Sequence, residues 1–246
     1  MKIVVIGGSG LIGSKVVANL TAHGHEATPA SPNTGVNTLT GEGLDDVLAG
    51  ADVVVDVSNS PSFEDAAVLE FFRTSTRNQL DAEAVAGVGH HVALSIVGSA
   101  RLSASGYMRA KVAQETLISD SSIPYSIVHA TQFFEFLAGI ADGATRDDGV
   151  HVPSAYIQPV AATEVAELVA EVAVGTPVKG IVEIGGPEKF RMDELIRRVL
   201  AEKLDPRTVV TDDALGYFGA RLQDDSLVTS EGARVGKITL AEWASR

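Results

Sequence analysis

The sequence predicts an α/β fold: a doubly wound parallel sheet covered by helices on both faces, with a small lobe toward the C-terminus. Three observations carry this prediction. A β-branched run at residues 3–6 ends in a glycine cluster, further apolar runs stand at 52–57 and 91–96, and amphipathic stretches separate them. Runs this apolar suit strands buried on both faces, and the helices between them supply the crossovers of a parallel sheet.

Ile3, Val4, Val5 and Ile6 form the first strand. Glycines follow at once, and Leu11, Ile12, Val16, Val17 and Leu20 recur at helical spacing, which predicts a helix over 11–23. Strand, glycine turn and helix N-terminus are the parts that hold a dinucleotide pyrophosphate. Glycine permits a tight turn with positive φ, and the missing Cβ atoms let phosphate oxygens reach backbone N–H groups. Gly8, Gly10 and Gly13 satisfy G-x-G-x-x-G, and Gly7, Gly10 and Gly13 satisfy G-x-x-G-x-x-G. Gly7, Ser9, Gly10, Leu11, Ile12 and Gly13 are therefore cofactor-binding candidates in a Rossmann-type arrangement.

Further along, the pattern predicts a strand at 25–28, a brief helix at 44–48, a strand at 52–57 and a long helix at 63–85. A strand at 91–96, a helix at 107–119 and a fifth strand at 126–129 complete the first half. The second half is more mixed. It holds a helix at 163–174 with Thr163 as N-cap, a strand at 181–184 and a helix at 192–204. Beyond Asp205 an irregular tail packs Tyr217, Phe218, Leu227 and Trp243 on the body. No repeat, low-complexity segment or linker divides the chain. It reads as one domain, with residues 1–130 as the dinucleotide-binding core. Residues 131–246 supply mostly substrate-side elements, plus a closing strand and helices.

The formal charge of −13, from 32 acidic and 19 basic residues, argues against nucleic acid or an anionic membrane as partner. An anionic cofactor is still admitted, because a helix N-terminus is locally positive whatever the net charge. Cysteine is absent, which excludes disulfides and thiolate chemistry. The start lacks the apolar core of a signal peptide, and no run reaches the ~18 apolar residues of a membrane span, so a soluble, cytoplasmic protein is expected. His90-His91 reads as a loop-to-strand junction, and no metal site is expected. The sequence leaves the oligomeric state open.

Tyr107 and Lys111 lie one helical turn apart on the same face. An ammonium beside a phenol stabilises the phenolate, so Tyr107 is expected to exchange protons with a carbonyl or alcohol oxygen near neutrality. Ser95, at the carboxyl end of the fourth strand, is placed to donate a hydrogen bond to the substrate oxygen, or else to bond local backbone. Ser99, in the loop after Gly98, competes for that role.

The glycine-rich 7–13 (GGSGLIG), Ser95, Tyr107-x-x-x-Lys111 and residues 126–134 (SIVHATQFF) resemble the short-chain dehydrogenase/reductase superfamily. The likeness is to its atypical, NmrA-like, NAD(P)H-binding branch. Residues 158–166 and 183–187 extend it over nearly the whole chain. The resemblance implies a Rossmann fold, a nicotinamide cofactor and, in catalytic members, a Ser–Tyr–Lys set, here Ser95, Tyr107 and Lys111. Lys111 would then also bond the nicotinamide ribose. Members lacking the tyrosine act as redox sensors or regulators; this chain keeps it, which favours an enzyme.

Two departures stand out. The strand ends in His129-Ala130 where relatives often have Arg-Pro or Arg-Ala, so His129 either faces the substrate or packs. After the second strand, Ser31 and Asn33 stand where an acid would bond an adenosine 2′-OH or an arginine a 2′-phosphate. The missing acid leans toward NADP, with NAD open. Val57, Ser58 and Asn59 leave the third strand along the adenosine side, or form a plain polar loop. Phe133, Phe134 and Phe136 cannot all share one helix face, so at least one meets the pocket while others pack in the core. Ser99, His129, Phe133 and Phe134 are the substrate-pocket candidates. The expected activity is NAD(P)H-dependent hydride transfer to a small apolar or aromatic carbonyl- or quinone-type substrate. The alternatives are a non-catalytic NAD(P)H sensor and an oxygenase-like enzyme acting on an aromatic metabolite.

Overall fold

The alternation read from the sequence is present in the computed structural model, which describes residues 1–245. The first half runs β1 (Lys2–Ile6), α1 (Leu11–Ala22), β2 (Glu26–Ala30), α2 (Leu44–Leu48), β3 (Val53–Asp56), α3 (Asp65–Ala86), β4 (His90–Ile96), α4 (Gly106–Asp120) and β5 (Tyr125–Ala130). The second half runs α5 (Leu137–Gly143), β6 (Thr145–Arg146), β7 (Gly149–Val152), β8 (Tyr156–Ile157), α6 (Ala162–Val174), β9 (Ile181–Gly185), β10 (Phe190–Arg191), α7 (Met192–Glu202), β11 (Val209–Thr211), β12 (Arg234–Val235) and α8 (Leu240–Ala244).

Seven strands form one parallel sheet in the order β12-β9-β5-β4-β3-β1-β2. The order reverses at β1, which has β2 on one side and β3 on the other. That is the switch point outside whose carboxyl strand ends an open α/β sheet binds ligands. Both faces are covered, which is why the inner strands are apolar along most of their length. Ile3, Val5, Val53 and Val55 pack under Val16 and Leu20 of α1 and Val165 and Val169 of α6. Val4, Ile6 and Val54 point the other way, against Leu44 and Leu48 of α2 and Ala82 of α3. Each such fully buried branched side chain contributes roughly 1.5–3 kcal/mol.

A second core joins Phe134, Leu137, Val150, Ile157, Met192, Leu195 and Leu227, which builds the C-terminal lobe around α5, β7, β8 and α7. Small sheets β10-β8 and β11-β7-β6 brace it. The second half departs from the sequence expectations in three places. Thr163 lies inside α6; the N-cap is Ala161, and the Glu135 carboxylate accepts the Ala162 N–H at 3.2 Å. A tertiary carboxylate replaces the local cap. Leu204 falls beyond α7 with φ +55° and is 91% exposed, because nothing apolar faces it. The tail is more ordered than expected, since β11, β12 and α8 form by pairing or packing with distant residues.

His90 and His91 open β4 in the core. His91 Nδ1 meets the buried Glu83 carboxylate at 2.8 Å, and His90 Nε2 meets Ser126 Oγ at 2.9 Å. Burial, reinforced by His91, pushes His90 down to about 4. Burial alone would lower His91 as well, but the Glu83 carboxylate holds it above its ordinary value. Among the described residues no group of three or more His, Cys, Asp or Glu is placed to hold a metal ion. No described helix is long and apolar enough to cross a membrane.

Candidate active site

A cleft of about 750 Å³ opens at the switch point, between the turn after β1 and the segment after β3. Gly7 adopts φ +77°, and a Cβ there would come within 2.9 Å of the Ser58 backbone. The two strand ends therefore touch only because residue 7 has no side chain. A Cβ at Gly13 would collide with the Gly7 carbonyl, so Gly13 lets α1 sit directly on the turn. The α1 N-terminus opens at Gly10 with no side-chain cap and no acidic residue in its first turn. Its unpaired N–H groups and positive dipole end are left for an anion. At the far side of β1, Ser31 lines the cleft with its hydroxyl buried and unpartnered among the described residues. An uncapped helix end at a glycine turn and an orphaned hydroxyl beside it fit a dinucleotide.

The second wall comes from α4. The Tyr107 hydroxyl donates to Asn59 Oδ1 at 3.0 Å. Lys111 Nζ donates to the Leu94 carbonyl at 2.9 Å and to Gln114 Oε1, and lies 4.3 Å over the Phe72 ring. Gln114 in turn donates to Asp56 Oδ2 at 2.9 Å, and Asp56 also accepts from Ser58 and Gln79. This arrangement corrects one expectation. Lys111 is engaged by β4 and Gln114, so it does not draw the Tyr107 phenol toward neutrality. Burial instead pushes Tyr107 up to about 12. Burial also pushes Lys111 down to about 8, although Asp56 and Glu115 favour its charge.

Glu115, one further turn along the same helix face, was not among the sequence candidates. Its Oε1 accepts from Ser95 Oγ, from His129 Nε2 at 3.0 Å and from Ser99 Oγ at 3.3 Å. Burial alone would raise the carboxyl, but these hydrogen bonds, led by His129, hold it below the ordinary carboxylate range. Hydrogen bonds to a charged partner contribute about 1.5–3 kcal/mol, against about 0.5–1.5 for neutral pairs. Ser95 is therefore tied to its acceptor more firmly than Tyr107 is to Asn59.

The cleft brings together Gly7, Ser9, Gly10, Leu11, Ile12, Ser31, Val57, Ser58, Asn59, Ser95, Tyr107, Lys111 and Phe133. Asn33 does not reach it; it sits exposed on the 3-10 turn Pro32–Thr34, and Asn37 lines the wall instead. Ser99 and His129 lie behind Ser95 on Glu115, outside the lining. Phe134 is core, stacked on Trp243 at 5.5 Å, whereas Phe133 and Phe136 stack at 5.3 Å along the cleft. Gln132, Tyr217 and Phe218 also line it without having been singled out for the site. Phe218 and Phe63 close over Tyr107, with ring centroids 6.0 and 5.4 Å from it.

No family model matches the sequence. Photosystem II assembly factor Ycf39 of Cyanophora paradoxa is 26% identical over 56% of this chain and 48% of its own length, so the chain spans about half of that relative. Among solved structures, an NADPH-dependent quinone oxidoreductase of Escherichia coli, complexed with NADPH, is 17% identical (TM-score 0.70, 99% of this chain and 98% of that one). A dTDP-4-dehydrorhamnose reductase of Bacillus anthracis in complex with NADP is 12% identical (TM-score 0.71, 91% and 90%). The Bordetella bronchiseptica enzyme WbmH in complex with NAD+ is 15% identical (TM-score 0.69, 89% and 87%). The chain thus has the Rossmann-type α/β fold that these solved structures share.

Proposed function

We propose that the protein is a cytoplasmic NADPH-dependent oxidoreductase that reduces a small, flat, apolar or aromatic carbonyl- or quinone-type substrate. One observation carries the reading. A single cleft has the uncapped α1 N-terminus and glycine turn in one wall and Tyr107, Lys111 and Ser95 in the other. The structural neighbours that hold NADPH, NADP or NAD+ share this fold. We read the chain as one domain, with residues 1–130 holding the dinucleotide and residues 131–246 supplying most of the substrate side.

The α1 N–H groups and the turn bind the pyrophosphate. Ser31 meets the adenosine ribose; with no carboxylate lining that end, nothing there repels a 2′-phosphate, so NADPH is admitted. Bound NADPH supplies the hydride. Lys111, held by Leu94 and Gln114, keeps its charge near neutrality and binds the ribose hydroxyls. Tyr107, with its phenol up at about 12, stays protonated and donates its Oη proton to the substrate oxygen. A phenol held protonated across neutral pH is in the form that carbonyl reduction requires, and the developing alkoxide is basic enough to take its proton.

The test is titration with NADPH and NADH, followed by coenzyme oxidation against a panel of quinones and aromatic ketones. Tyr107→Phe should lower turnover about 10²–10⁴-fold and leave NADPH affinity nearly intact. Unchanged turnover in that variant would remove Tyr107 from the mechanism. Saturable NADPH binding with no oxidation across the panel would make the protein a dinucleotide sensor instead.

A further inference from the structure

At the substrate end of the cleft two hydroxyls, those of Ser95 and Thr131, have their protons committed elsewhere, and one amide oxygen, that of Gln132, has no donor among the described residues. Ser95 has a single hydroxyl proton and donates it to Glu115, whose accepting oxygen is also held by His129 and Ser99. What Ser95 Oγ offers the cleft is lone pairs. Thr131, also in the lining, donates its hydroxyl to the Gln158 carbonyl at 2.6 Å. Gln132 is only 9% exposed, lines the cleft, and has an amide oxygen with no hydrogen-bond partner among the described residues. A buried acceptor without a donor is costly unless a ligand supplies one.

The Ser95 and Gln132 observations are independent, since they concern different elements and different causes. Phe133 and Phe136 stack along the same wall, which shapes the space for a flat body. Tyr107 is the hydroxyl free to turn, because its present acceptor is a neutral amide.

Resting on the oxidoreductase reading, we propose that the substrate is a flat carbonyl compound carrying at least one further hydroxyl or N–H group. That group donates to Ser95 Oγ or Gln132 Oε1 while Tyr107 serves the carbonyl. Glu115 is then a positioning residue: it fixes Ser95 as an acceptor and so selects donors.

Matched ligands isolate the donor. The 5-, 6- and 7-hydroxy-1-tetralones and their methoxy counterparts differ in hydrogen-bond donation while keeping ring and carbonyl. Binding is measured by calorimetry to the protein saturated with NADP+, a dead-end pairing in which no turnover intervenes. At least one hydroxy ligand should bind about tenfold tighter than its methoxy partner. Gln132→Leu or Glu115→Gln should reduce that preference to below about threefold, and Gln132→Glu, which keeps an acceptor, should retain it in the Gln132 case. Glu115→Gln acts by letting the amide donate to Ser95 and freeing the Ser95 proton. Hydroxy and methoxy partners within threefold at every position, no binding by any of the six, or a preference surviving both Gln132→Leu and Glu115→Gln would overturn the proposal. Failure to bind NADP+ would instead overturn the oxidoreductase reading on which it rests.

Discussion

Replacing Lys111 by Met should change how stability depends on pH, by an amount the structure sets. The Lys111 ammonium is 3% exposed, and burial lowers it from 10.5 in an open chain to about 8. Between those values the unfolded chain holds a proton that the folded protein has released. The unfolded state binds more protons there, so stability rises with pH across that window. At pH 7 the folded protein carries the cost of a buried, charged amine; by pH 10 most of that cost is gone. Integrating the linkage between pH 7 and 10 gives about 2–3 kcal/mol. Tyr107 opposes this only above its ordinary value of 10, since burial pushes it up to about 12. The assay is urea unfolding of both proteins at pH 7, 8, 9 and 10. Wild type should gain about 2–3 kcal/mol relative to Lys111→Met over that range. The variant loses the donor to Leu94 and Gln114, which shifts its absolute stability but not its slope. Parallel curves would refute the buried-ammonium account. NADPH affinity of the variant at pH 7 should fall in the same preparations.

Other perturbations follow from the same geometry. Gly13→Ala drives a Cβ into the Gly7 carbonyl, so it should cost about 1–3 kcal/mol by overpacking and abolish NADPH binding, read by thermal melting and coenzyme titration. His90, buried and held at about 4, should make the fold acid-sensitive: the unfolded chain takes up a proton below about 6.5 that the folded chain refuses until about 4. About 3 kcal/mol should be lost over that interval and not in His90→Gln, as urea unfolding at pH 7, 5.5 and 4 would show. Phe218 adopts φ +48° ahead of Gly219 at +82°, in a two-residue turn closed by Tyr217 and Ala220. Phe218→Asn suits that turn and should raise stability by up to about 1 kcal/mol, while removing the ring over Tyr107 raises substrate KM and leaves NADPH affinity unchanged.

The parts legible in the sequence are those fixed by local chemistry. A β-branched run must be a strand, a glycine cluster after it must turn, and Tyr107 and Lys111 must share a helix face. What was not legible depends on partners far away in the chain. Lys111 turns from Tyr107 because Gln114 and Asp56 stand behind it once α4 packs beside β4. Glu115 continues the Tyr107, Lys111 face by one more turn, so a signal existed; a carboxylate one turn past a lysine simply reads as a solvated helical pair. Nothing local distinguishes Phe134, which meets Trp243 in the second core, from Phe133 and Phe136, which do not. Phe218 breaks the rule that a bulky residue avoids positive φ, and only the glycines around it hinted at a tight turn.

Three such departures meet in one cleft. Lys111 is charged where burial disfavours it, Phe218 is bent where its backbone disfavours it, and Gln132 keeps a buried acceptor without a donor. Each carries a penalty of about 1–3 kcal/mol, and total stabilities are only about 5–15 kcal/mol. Each also has a nearby substitution that would relieve it, so packing alone does not require any of them. Their convergence on the switch point of the sheet is what a binding site predicts, because groups that await a ligand are unsatisfied without it. The Lys111 and Gln132 experiments separate the two accounts. Relief of these penalties that left coenzyme and ligand binding intact would mean the fold merely tolerates them; relief that removed binding would mean that the ligand is what they are held for.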